Sequence, residues 1–154
     1  MPGRAFLVAA ILLCSVSLWA QYASVFADIA DAASLTHEQA SWLVLSVAGT
    51  LPPGATIADA SPHVPGRFPR AGGSGGQPVS AGTLALMLVS IEETSPGFWY
   101  AIAPGRLTAF SLVRSRGLIP PDWRPGTVPT GAEAVDAIRA YFEFARARSQ
   151  GLAR

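Results

Sequence analysis

The chain has a single cysteine in 154 residues, no lysine, no asparagine and few charges of either sign. One cysteine excludes an internal disulfide and a cysteine-based structural zinc centre. With eleven basic and ten acidic side chains the formal net charge is +1. That leaves no basic excess to neutralise phosphates, so nucleic acid is not an expected partner. Charged residues make up 14% of the chain and hydrophobic residues 50%. Disorder throughout is thereby excluded, because it needs the opposite balance. The lack of asparagine removes every N-glycosylation site. All the basic residues are arginine. Lysine and asparagine codons both begin with two adenines, so the missing pair reads as a GC-rich, bacterial coding bias. No internal repeat is evident.

Charge is scarcest at the N-terminus. Between Arg4 and Asp28 the chain runs uncharged through Phe6, Leu7, Ile11, Leu12, Leu13, Cys14, Leu18, Trp19, Tyr22, Val25 and Phe26. As a helix this stretch spans about 34 Å, against about 30 Å of bilayer hydrocarbon. Trp19 and Tyr22 fall near its far end, where amphipathic rings favour the interface. Arg4 precedes the run, whereas Asp28, Asp31 and Glu38 follow it with no basic residue before Arg67. The positive-inside rule then expects a bacterial inner-membrane protein, with its N-terminus cytoplasmic and its C-terminal part periplasmic. The alternative is a secreted or periplasmic protein with a cleaved signal peptide. Cleavage after Ala20 would put bulky Leu18 at −3, and cleavage after Ala27 would put Val25 there.

Thr36-His37-Glu38-Gln39 has the form of a capping box, opening a helix that carries Ala40, Leu43, Val44 and Val47 and stops at Gly49. Residues 51–82 are dense in proline and glycine and read as a linker or mobile loop. Leu84–Ile91 is a continuous apolar run, and Phe98-Trp99-Tyr100-Ala101-Ile102 has strand composition, with turn residues between them. The pair predicts a short antiparallel hairpin. Leu107, Phe110 and Val113 mark a short helix ending at Gly117, and Trp123 is expected to anchor the following segment on the core. Thr130-Gly131-Ala132-Glu133 is a second capping box. Val135, Ile138, Phe142 and Ala145 after it share one helical face. The expected fold is therefore α+β. It consists of a single transmembrane or signal helix (1–27), a helical extension (28–50), the linker (51–82) and a small domain of helices and a hairpin (83–154).

No catalytic constellation emerges. Gly72, Ser74 and Gly76 satisfy the pattern of a nucleophile elbow, but no histidine follows Ser74 to serve as base. His37 and His63 lie on either side of the second helix, and a metal site would want at least a third ligand, for which Asp59 is the only nearby carboxylate. Glu92 and Glu93 are adjacent, and on a strand would face opposite sides, so they cannot flank one bond. The pairs Arg114/Arg116 and Arg146/Arg148 read as solubilising helix ends. Trp42, Phe98, Trp99, Tyr100, Trp123 and Phe142 are the candidates for partner contact, since aromatic rings dominate interface hot spots. No cofactor and no small-molecule substrate is expected.

The resulting expectation is a non-enzymatic, membrane-anchored subunit or assembly factor of a bacterial envelope complex, of the pilus, secretion or membrane-enzyme accessory type. It would hold the bilayer through residues 5–27 and bind protein partners. The alternative is a secreted or periplasmic small binding module.

Overall fold

A computed structural model describes residues 23–64, 68, 75–91 and 98–151, with residues 98 and 99 as backbone. The element order is α1 (23–30), α2 (His37–Val47), α3 (Ile57–Ala60) with a 3-10 turn (Ser61–His63), α4 (Ala81–Ser90), α5 (Phe98–Ile102), α6 (Arg106–Ser115) and α7 (Gly131–Ser149). Among the described residues there is no strand, so the fold is helical and the expected α+β class is corrected.

Both arms of the expected hairpin are helices. The first is α4, whose residues Ala81 through Val89 are all buried. A continuous apolar run specifies burial on every side, which a central strand and an enclosed helix satisfy equally. Ser80 decides between them by accepting the Thr83 N–H at 3.3 Å, an N-cap that starts a helix rich in leucine, alanine and methionine. Phe98–Ile102 then has no strand to pair with and forms α5 against α6. Its aromatic strand preference gives way because a ladder needs a partner.

No helix among the described residues is long and apolar enough to cross a membrane. Residues 1–22 of the expected anchor lie outside the described residues. Residues 23–27, expected to close that anchor, belong instead to α1. Ile29 is fully buried in the core, and Val25 and Phe26 pack against it. Phe26 meets Trp42 edge-on at 5.1 Å between ring centres, and the Trp42 indole donates to the Ala55 carbonyl at 2.9 Å. Trp42 thereby ties α1, α2 and the following loop together. That loop, within 51–82, contains α3 and buries Leu51, Ala55 and Phe68.

The helices α2, α4, α6 and α7 begin at one end of the molecule. Residues 75–79 run beside 35–38, joined by His37 N–H to the Gln77 carbonyl (2.8 Å) and Val79 N–H to the Leu35 carbonyl (2.8 Å). An isolated antiparallel bridge between Thr36 and Pro78 sits among these bonds. Residues 125–129 cross the same end, accepting from Gly82 at Pro125, from Ala81 at Thr127 and from Leu35 at Pro129. The segment is pinned by Trp123, which is buried as its sequence predicts.

The tightest approach is at the start of α7. The Gly131 N–H donates to the Ala32 carbonyl at 2.9 Å. A Cβ at Gly131 would stand 1.6 Å from the Ile29 carbonyl oxygen, inside its backbone, so only glycine fits. A Cβ at Gly126 would meet nothing within 4 Å. Gly131→Ala is therefore expected to cost about 3 kcal/mol or more in urea unfolding, and Gly126→Ala less than about 0.5 kcal/mol in either direction. Equal midpoints for the two variants would contradict the assigned contact.

Candidate functional site

A concavity lies along α7. This helix starts where its sequence predicts: the Glu133 N–H donates to Thr130 Oγ1 (3.3 Å), and Thr130 N–H donates to Glu133 Oε2 (2.9 Å). Glu133 near the N-terminus and Arg146 and Arg148 in the last turn complement the helix dipole. The helix carries more apolar surface than the core uses. Ala134, Ala137, Ile138 and Tyr141 are buried, whereas Val135 and Phe142 are only partly covered. Val135, Ile138 and Phe142 form a second stripe beside the first.

That second stripe is one wall of a groove of about 480 Å³. Leu43 and Val47 of α2 supply the opposite wall, and Phe26 of α1 contributes from the third helix. Val47 remains 43% exposed. Arg139, Glu143 and Arg146 add a charged border. Arg139 lies 3.7 Å from Asp136 in an exposed pair that contributes little to stability. The groove can desolvate an apolar side chain and meet a charge at its edge. Among the described residues that line it, no nucleophile or imidazole is placed to do chemistry.

Of the sequence-derived contact candidates among the described residues, only Phe142 is on the groove. Trp42 and Trp123 are core residues. Tyr100 packs against the core, partly buried, away from α7. The side chains of Phe98 and Trp99 lie outside the described residues. Sequence reasoning put Val135, Ile138 and Phe142 on one helical face but missed Phe26, Leu43, Val47, Arg139 and Arg146 as their neighbours. The available signal was in α7, where apolar residues at 134, 137, 138 and 141 accompany those at 135, 138 and 142 and make a face too wide for one contact.

Among the described residues, His37, His63 and Asp59 do not come together as a metal-binding group. Asp59 Oδ2 accepts from Thr56 N–H at 2.7 Å and from the Thr56 hydroxyl at 2.8 Å, starting α3. His63 is exposed in the 3-10 turn, and His37 is buried at the first position of α2. Among the described residues, no three of His, Cys, Asp and Glu come together to hold a metal ion. Gly72, Ser74, Glu92 and Glu93 lie outside the described residues. Arg114 donates to the Pro121 carbonyl at 2.9 Å, and the Arg116 guanidinium sits 5.1 Å from the Phe144 ring centre. Both arginines therefore tie helix ends to neighbouring segments as well as solubilising them.

The chain matches no protein-family model, no curated protein and no solved structure.

The two stripes of α7 should separate in stability measurements. Tyr141→Ala, in the core, is expected to cost about 3–5 kcal/mol. Phe142→Ala, on the groove, should cost about 1 kcal/mol, set by its partial burial. Similar losses for both in urea unfolding would mean that Phe142 is a core residue. At Asp59, the Thr56 backbone bond, with the Thr56 hydroxyl, holds the carboxyl below its usual 3.8. The ionised form is the one bound, so its capping contribution is complete above about pH 3.8 and is lost as pH falls through the lowered value. A carbon-detected titration of Asp59 should show the depressed midpoint, which Thr56→Val should raise towards 3.8.

Proposed function

We propose that this protein is a non-enzymatic, membrane-held docking subunit of a bacterial envelope complex, and that its groove receives an amphipathic helix of a partner protein. The observation that carries this reading is the spare apolar stripe of α7. Val135 and Phe142, only partly covered, face Phe26 and the exposed Val47 across an open groove that the buried Leu43 and Ile138 also line. A helix that lays an apolar face into a groove needs this shape. Two arginines and one glutamate on the border favour a partner with carboxylates flanking its apolar stripe.

Attachment to the bilayer through the apolar N-terminal run is part of the same proposal. Because Val25, Phe26 and Ile29 pack on the core, the part of that run left for the bilayer is residues 5–22. It also bears on processing. Cleavage after Ala27 would remove Val25 and Phe26 from the core, whereas cleavage after Ala20 would spare α1. The secreted alternative therefore requires the Ala20 site, with bulky Leu18 at −3.

The test is to extract the native protein from membranes in detergent, weigh it intact and identify what co-purifies. The expected result is a full-length mass in the membrane fraction and a stoichiometric partner. Val47→Asp should remove that partner, leaving membrane residence and the unfolding midpoint unchanged. A soluble form lighter by about 2 kDa, the size of a signal peptide, would overturn the membrane part of the proposal. A partner retained by Val47→Asp would overturn the groove.

A further inference from the structure

A second cavity, of about 340 Å³, opens at the end of the molecule where the helices begin. Its walls are His37, Gln77, Pro78, Val79, Ser80, Thr83 and Arg106. His37 is the first residue of α2, Ser80 caps α4 with Thr83 in its first turn, and Arg106 is the first residue of α6. Three helices of ten or eleven residues thus direct their N-termini towards one cavity. Each N-terminus carries roughly half a positive charge.

The convergence is held by specific contacts. The bonds between 35–38 and 75–79 fix α2 beside α4. A Cβ at Gly82 would sit 3.6 Å from the Arg106 Cβ and 3.0 Å from the Pro125 carbonyl oxygen, so α6 starts close against α4. Neither α4 nor α6 has an acidic residue in its first turn. Glu38 of α2 is exposed and does not line the cavity.

Side chains, not helix amides, would make the contacts. The first-turn N–H groups of α2 and α4 are already used: His37 donates to Gln77, Glu38 to Gly75, Ala81 to Thr127, Gly82 to Pro125 and Thr83 to Ser80 Oγ. The hydroxyls of Ser80 and Thr83 lie 3.0 Å apart. They own two protons and need one between them, so one O–H remains to be donated. Thr83 is only 4% exposed, which shelters this donor from bulk water. Arg106 stands at the mouth. A cation at the N-terminus of a helix opposes the dipole, so it does not serve the stability of α6. No carboxylate among the described residues pairs with Arg106.

We propose that this cavity is a binding site for a small oxyanion, phosphate either free or as the head of a phosphomonoester. The Arg106 guanidinium meets the charged oxygens, the Ser80–Thr83 pair donates its spare proton, and the His37 ring and Gln77 complete a polar wall. The site lies away from the α7 groove and is independent of the proposal made for it.

The test is an amide NMR titration of the full chain, in a maltoside detergent free of phosphate and at constant ionic strength, with inorganic phosphate and separately with glycerol phosphate. Saturable shifts confined to residues 37, 77–83 and 106 are expected, with a Kd of about 1 mM or tighter. Arg106→Gln, at an exposed position, should weaken binding about tenfold, the effect of one charge-assisted hydrogen bond. Thr83→Val removes the hydroxyl at constant shape and should weaken it several-fold, with the unfolding midpoint confirming that each variant is folded. Tighter binding of glycerol phosphate would identify the phosphomonoester as the ligand, and equal or weaker binding would identify free phosphate. Shifts that do not saturate, or that persist unchanged in Arg106→Gln, would overturn the site.

Discussion

Complete burial of α4 is the constraint that the rest of the domain obeys. A helix with nine consecutive buried residues and no charged side chain has no face to offer water. It must be enclosed on all sides, as burial of each large apolar side chain contributes about 1.5–3 kcal/mol. Its polar ends must be satisfied within the protein, because an unmet buried amide costs a comparable amount. α6 packs along it, and α2 with the segment at 75–79 takes another side. The carbonyls of Pro125 and Thr127 accept its first free amides. Among the described glycines, Gly131 is packed so closely that a side chain would not fit, and a Cβ at Gly82 would stand a tight 3.0 Å from the Pro125 carbonyl oxygen.

Much of the helical part of this arrangement was legible in the sequence. The capping boxes at Thr36–Gln39 and Thr130–Glu133 both form, because they are local and need nothing from the rest of the chain. Gly49 and Gly117 adopt the positive φ that ends a helix, and Trp123 is buried where a lone large ring among prolines had to be. The hairpin expectation fails because Leu84–Ile91 carries hydrophobicity without periodicity. Leu84 through Val89 reports that it is buried, not in what conformation. The short cap at Ser80–Thr83 was the distinguishing signal, and it stood inside a stretch discounted for its prolines and glycines.

The site was less legible than the fold for a related reason. α6 illustrates it: Leu107, expected on the core face, is 70% exposed, while Ala109 takes the buried place. Which apolar residues are left outside depends on how far each helix is rotated, and that is fixed by its neighbours. The groove likewise joins residues from positions 26, 43, 47 and 142, brought together only by tertiary packing. The polar cavity is a more extreme case. Its components are single residues at the starts of three helices, unremarkable in sequence, and they share a wall only because α2, α4 and α6 begin at one end.

The fit of Gly131 against Ile29 also governs when the domain can form. The two residues are about 100 positions apart, so the contact closes nearly the whole described chain and belongs to the slow, non-local class. During synthesis α1 emerges early and waits for the final helix before its seat exists. The uncharged segment preceding α1 emerges earlier still, with no completed domain to compete for it.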